Sequence, residues 1–251
     1  HYSYMHKGPS GALDSLYVLP EDSTRRWQLD NSFVLSLREG FRPWVKFGLE
    51  AYVRLENKYY YNPDSIYQEH PGHSTMDLVV GGRIARTSGQ LLNFDAQLES
   101  TLLGENIGSV LAQGGISTSF RLWSFPVGLR AWGNFENRRP DYFIRHFHGT
   151  FHRWDIDFGY ERRLAFGGRL TLDKLGTSLS VETATLQNQL YWTSQGLVEQ
   201  CADPIQILSA RLQHGYKWGW LAWRLQALYQ LSTRQEVMPL PTLSLYGTVY
   251  T

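Results

Sequence analysis

From Arg25 onward, apolar and polar residues alternate one by one along segment after segment, joined by connections that are alternately short and long. This pairing constrains the fold more than any other feature of the chain. Successive side chains of a β-strand point to opposite faces, so a period of two means strands with one apolar and one polar face. Short connections are expected at 39–44, 86–90, 122–125, 164–169 and 216–220. Long ones are expected at 59–76, 137–152, 186–204 and 234–241.

The alternation is explicit. Trp27, Leu29, Phe33, Leu35 and Leu37 share one parity, and Arg26, Gln28, Asp30, Ser32 and Ser36 the other. Val45, Phe47, Leu49, Ala51, Val53 and Leu55 oppose Lys46, Glu50, Tyr52 and Arg54. The same reading places further strands around Leu78–Ile84, Leu92–Leu102, Val110–Phe120, Val127–Glu136, Trp154–Glu161, Leu179–Glu182, Leu208–Gln213, Leu221–Leu231 and Thr242–Tyr250. That makes about eleven strands, several long enough for the 9–11 residues that a tilted strand needs to cross a bilayer. The first 23 residues, rich in Gly, Pro, Ser and Tyr, are expected to be a loop or ragged end, with the strands in residues 24–251.

Composition removes several alternatives. Charged residues make up 19% of the chain, below the soluble average of about 25%. No apolar run of the length required for a transmembrane helix exists. A membrane-spanning β-barrel escapes that test, because only alternate residues meet lipid. The net charge of +1 gives no basic surplus to suggest nucleic acid. The single cysteine, Cys201, has no internal partner for a disulfide. The opening residues lack the basic and apolar regions of a signal peptide, which fits a processed or excised chain.

Strand length and tryptophan placement favour an all-β, antiparallel up-and-down transmembrane β-barrel over a soluble sheet. Trp44, Trp123, Trp218 and Trp220 lie in or beside short connections. Aromatic belts occupy the headgroup level of membranes, so these four are expected at the membrane interface on the periplasmic rim. The apolar face then meets lipid. The polar face lines a lumen bearing Arg26, Asp30, Lys46, Glu50, Arg54, Arg83, Asp95, Glu99, Arg121, Arg130, Asp155, Asp157, Glu161, Arg211 and Arg224. An odd strand count conflicts with the even number expected of a bacterial barrel, so further strands outside this sequence are expected.

Several ordered segments add a resemblance. They are Asp30-Asn-Ser-Phe-Val-Leu-Ser-Leu-Arg-Glu-Gly40, Phe47-Gly-Leu-Glu-Ala-Tyr52, His146-Phe-His-Gly-Thr-Phe-His-Arg-Trp154, Pro204-Ile-Gln-Ile-Leu-Ser-Ala-Arg-Leu212 and Val237-Met-Pro-Leu-Pro241. Together with the Thr177–Trp192 stretch and Tyr229-Gln-Leu-Ser-Thr, they follow an order that resembles the putative porin family of Bacteroidota outer membranes. The resemblance covers most of the chain and implies a barrel in the cell outer membrane.

No constellation of chemistry rises above this frame. His146, His148 and His152, with His70 and His73, lie in expected loops and read as ordinary loop histidines rather than a metal site. Asp155, Asp157 and Glu161 could serve acid–base work but read as lumen wall. The Tyr59–Tyr61 run reads as interface belt or loop packing. No nucleophile motif or phosphate loop is present, so neither an enzyme nor a cofactor is expected. The leading function is a passive diffusion channel for small polar solutes, with outer-membrane lipid as its surroundings. A second reading is a non-channel barrel, a subunit or scaffold in a complex with other outer-membrane or periplasmic proteins. A third is a soluble, glycan-binding sandwich. Mixed lumen charge suits a wet pore or a salt-bridged plug, and the sequence does not choose between them.

Overall fold

The computed structural model describes residues 24–61, 72–89, 91–123, 125–149 and 152–251, together with a short antiparallel pairing of His6–Lys7 with Leu13–Asp14. The rest of the 1–23 segment and His70 lie outside the described residues. Eleven strands form one sheet: β1 (Arg25–Leu37), β2 (Gly48–Tyr61), β3 (Gly72–Arg86), β4 (Asn93–Leu103), β5 (Val110–Leu122), β6 (Phe125–Arg138), β7 (Glu161–Leu172), β8 (Thr177–Gln187), β9 (Ile205–Trp218), β10 (Leu221–Ser232) and β11 (Leu243–Tyr250). Each pairs antiparallel with its neighbours in chain order, from β1 at one edge to β11 at the other. This is an up-and-down sheet of the barrel type. The two edges are not paired with each other.

The register carries the alternation across the sheet. Leu35, Ala51, Gly82, Leu98, Ala112, Phe135 and Leu164 lie in one transverse row. Leu170, Leu179 and Leu212 follow in another. The apolar face is open to the surroundings, with Phe33, Leu98, Phe166 and Leu245 each more than half exposed. A soluble sheet would bury such a face. Here the ordinary core is small, and the exposed apolar area is continuous, as lipid requires.

Connections at one rim are short at 87–92, 123–124, 173–176 and 219–220, whereas 38–47 has ten residues and is longer than the 39–44 turn expected from the sequence. The described connections at the other rim are 104–109, 139–160, 188–204 and 233–242. The exception to the long class is 104–109, which sequence reading leaves unmarked. Its start, Gly104, has φ +108°, and a Cβ there would meet the Met76 carbonyl at 2.2 Å. Only glycine fits this left-handed position against a neighbouring strand.

Two expectations fail between residues 153 and 172. The stretch from Trp154 is not a wall strand: Arg153–Asp155 pairs with His146–His148 in a small hairpin, and 156–160 has no strand. Nor is 164–169 a turn, because it lies within β7. The alternation of Trp154 and Phe158 comes from local packing, in a small core with Val198 flanked by Ile144, Phe147 and Leu190. The Gly167-Gly168 pair, which reads as a breaker, makes room for rings. The Trp132 indole covers Gly167 on the polar face, and the Phe166 ring covers Gly133 on the apolar face. Consequently Asp155 and Asp157 belong to a loop rather than to the strand wall. Lys46 likewise sits in the 38–47 connection, outside any strand.

Candidate functional site

The polar face of the sheet and the loop folded against it form the candidate site. In a membrane barrel the polar parity is the interior. Arg26, Asp30, Glu50, Arg54, Arg83, Asp95, Glu99, Arg121, Arg130, Glu161, Arg211 and Arg224 all occupy that parity of described strands. Asp155, Asp157 and Lys46 do not.

Near the long-loop rim these charges meet in a connected network. Arg54 contacts Glu56 at 2.7 Å and Glu99 at 2.8 Å. Lys58 contacts Glu56 at 2.6 Å and Asp77 at 3.3 Å. Asp77 is 1% exposed, and it also accepts from the Asn106 backbone N–H and side-chain amide. This buried carboxylate therefore pins the 104–109 connection to β3. Burying it is tolerable because its oxygens are satisfied by a cation and two N–H donors. Tyr52 lies across Gly81 and donates to Glu99 at 2.6 Å. Gln97 donates to the Tyr52 hydroxyl, and Gln113 to Gln97, continuing the chain of hydrogen bonds over β5.

The 139–160 loop closes over this network. Its single helical turn, Tyr142–Arg145, is capped by the Asp141 side chain, which accepts from the Phe143 N–H. Arg26 on β1 contacts Asp141 at 3.3 Å. β1 and β6 are five strand spacings apart, roughly 24 Å along the sheet, so the loop crosses the polar face rather than rising away from it. Arg145, 4% exposed, pairs with Glu105 and donates to the Pro140 carbonyl. Tyr142 stacks on Tyr60 and His73, with ring centroids at 4.5 and 4.8 Å, and lies 4.7 Å from His146. The Tyr60 of the Tyr59–Tyr61 run is thus loop packing. Between the loop turn and the wall lies a cavity of about 530 Å³, lined by Arg54, Lys58, Glu99, Tyr142 and Arg145 among others.

Loop geometry sets the rim electrostatics. Burial pushes the Glu105 carboxyl up, but hydrogen bonds from Arg145 and His73 outweigh it and hold the group below its ordinary range. Burial likewise pushes the Asp155 carboxyl up, but hydrogen bonds from His146 and His148 outweigh it and hold the group below its ordinary range. Those histidines contact it at 2.8 and 3.0 Å. Burial first, then the nearby carboxylates Glu105 and Asp155, raise the Tyr142 phenol. Among the described residues no group of His, Cys, Asp and Glu has the arrangement of a metal site.

Several members of the site escape sequence reading. Asp77 and Glu182 stand on the polar parity but carry no distinguishing pattern. Arg163 and Arg169 are hidden by the glycine pair that mimics a turn. Glu105, Arg139 and Arg145 lie in connections, where alternation gives no orientation. The four tryptophans of the short rim are 74% (Trp44), 89% (Trp123), 75% (Trp218) and 75% (Trp220) exposed. Trp123 does so at φ +54°, a conformation costing an ordinary residue about 1–2 kcal/mol.

Comparison with solved structures finds the same fold in the siderophore receptor PirA from Pseudomonas aeruginosa, at a TM-score of 0.69 and 11% sequence identity. The match covers 91% of this chain and 43% of the receptor, so the chain spans less than half of that protein's length. Comparison with curated proteins finds no match. The likeness to the receptor shows the fold alone. A family model described as "Putative porin" matches residues 2–251, and the chain belongs to that family.

Proposed function

We propose that this chain forms wall and constriction of a porin-like channel in the outer membrane, through which small polar solutes pass by passive diffusion. The observation that carries the reading is the loop turn Tyr142–Arg145 lying against the polar face, with a cavity of about 530 Å³ between it and the wall. A channel needs a wet, charge-lined path narrowed at one level, and a loop fixed across the polar face supplies the narrowing. The exposed tryptophans support an orientation with the short connections periplasmic. Trp123 keeps a bulky ring in a conformation that glycine would adopt more readily, which suits an anchor at the headgroups. Outer-membrane lipid is then the partner of the apolar face. Neither enzymatic chemistry nor nucleic-acid binding is part of the proposal.

The test is conductance of the full-length protein in planar lipid bilayers. Discrete, ohmic openings are expected. A folded protein that never opens would exclude the channel. The second reading, a non-channel subunit or scaffold, draws support from the Arg54–Glu56–Lys58–Asp77 network, whose mutually satisfied charges also suit a closed interior. Silence in the bilayer together with co-purification of large partners in mild detergent would favour it.

A further inference from the structure

The polar face changes character along its depth. At the long-loop rim opposite charges are paired. Closer to the short turns, the register sets Arg130 directly opposite Arg169, Arg169 opposite Ser180, and Ser180 opposite Arg211. Three arginines therefore stand in one transverse row across β6, β7, β8 and β9. Arg121 on β5 and Arg224 on β10 share the face nearer the turns. Among the described residues Arg121, Arg169, Arg211 and Arg224 have no ion-pair partner. Asp95 reaches Arg130 from β4 at 3.3 Å, and Asp173 lies in the β7–β8 turn. No carboxylate of β5–β11 stands on the polar face at or below the row.

Like charges directly opposite each other weaken a sheet, so the Arg130–Arg169 pairing contributes nothing to stability. Its use must lie in what it attracts. A guanidinium fork matches the oxygens of phosphate, sulfate and carboxylate groups, and arginines lining a pore favour anions. A cavity of about 480 Å³ opens at the row, lined by Arg130, Arg163, Arg169 and Trp132 together with Asp95 and Glu182, which pair with Arg130 and Arg163 and leave Arg169 without an ion-pair partner among the described residues. Neighbouring strands are about 4.8 Å apart. Arg130 and Arg169 can grip one oxyanion between them. Arg211, two strands further, can take a second anionic group about 10 Å away, with the Ser180 hydroxyl between. We infer that this row is a binding site for small oxyanionic solutes and makes the channel anion-selective. The selectivity part rests on the channel reading, whereas the binding part does not.

The probe is inorganic pyrophosphate, with two readouts on the full-length protein: calorimetric binding in detergent, and reversal potential in bilayers under a potassium chloride gradient. Pyrophosphate should bind, and chloride should permeate better than potassium. Replacing Arg169→Gln and Arg211→Gln together should weaken binding by at least about tenfold and move the permeability ratio toward unity. Arg169→Lys with Arg211→Lys should keep the anion preference while weakening pyrophosphate binding, because the charge remains and the fork is lost. Retained heat-modifiable mobility on gels shows that each variant is folded. Binding without conductance keeps the oxyanion site and removes the channel. A conducting wild type that binds no pyrophosphate and lacks anion preference removes the site and keeps the channel. Double-Gln behaviour identical to wild type overturns the row, and silence in both readouts overturns both readings.

Discussion

Glu39 and Ser88 are 49 positions apart in the chain, yet the Ser88 hydroxyl donates to the Glu39 carboxylate at 2.6 Å. The Thr87 hydroxyl and backbone N–H donate to the same group at 3.0 and 2.8 Å. One carboxylate thus fastens two neighbouring connections of the same rim, 38–47 and 87–92. With the Ser88 backbone N–H as a fourth donor, these hydrogen bonds hold a half-exposed group that has no ion-pair partner among the described residues.

This tie has an acid signature. Hydrogen bonds from Ser88 and Thr87 lower the Glu39 carboxyl from an ordinary 4.5 to about 2. A group with a depressed folded-state pKa stabilises fully above its unfolded value and loses that contribution as pH falls through the folded value. The contribution should therefore fade between pH 4.5 and about 2. Glu39→Gln should lower stability at neutral pH and flatten the dependence in that window. Acid unfolding followed by tryptophan fluorescence compares the two proteins; parallel curves would refute the tie.

Leu225 and Gln226 are neighbours on opposite faces of β10. Arginine at Leu225 would enter lipid and should destabilise the folded barrel by roughly 2–4 kcal/mol at midplane depth. Arginine at Gln226 should have little effect. Equilibrium refolding into lipid vesicles measures both. Equal losses would mean that the faces are assigned the wrong way round.

Gly167 should resist even alanine. Its Cβ would lie 2.3 Å from the Trp132 indole, and overpacking of that kind costs about 1–3 kcal/mol. Shrinking Trp132 to leucine should reduce the penalty of Gly167→Ala. The coupling measured in a double-mutant cycle distinguishes steric conflict from a general dislike of substitution in β7, which would give additive losses.

Arg145 should govern the order of the crossing loop. Replacing it with methionine leaves the Glu105 carboxylate with His73 alone. Breaking a buried pair by removing one partner costs about 3–5 kcal/mol, here concentrated in the loop because the sheet does not depend on it. Limited proteolysis should cut within 139–160 far faster in Arg145→Met, and single-channel current should rise or become noisy. A loop equally resistant in both proteins would show that aromatic stacking on Tyr142 is sufficient to hold it.

The sheet was largely legible because alternation is a local property of each strand. Phe33 and Asp30, or Leu98 and Gln97, announce their faces whatever their neighbours are. The failure at β7 has the opposite cause. Gly167 and Gly168 lack side chains because the Trp132 and Phe166 rings need the space, and that need exists only after strands pair. Trp154 and Phe158 misled for the converse reason, since a local hydrophobic cluster reproduced a strand's rhythm. The site was less legible still. Arg145 meets Glu105 from 40 positions away, and Arg26 meets Asp141 from 115. Nothing in either neighbourhood encodes the other. The arginine row is similarly invisible until registers are known, because Arg130, Arg169 and Arg211 each look like an ordinary polar-face residue.

Eleven strands in an up-and-down order have a directional consequence. β1 and β11 both run from the long-loop rim to the short-turn rim, so joining them edge to edge would make a parallel seam in an otherwise antiparallel wall. A cylinder that stays antiparallel throughout requires an odd number of strands between these two edges. The parity of any closure is therefore written into the directions of Arg25–Leu37 and Leu243–Tyr250.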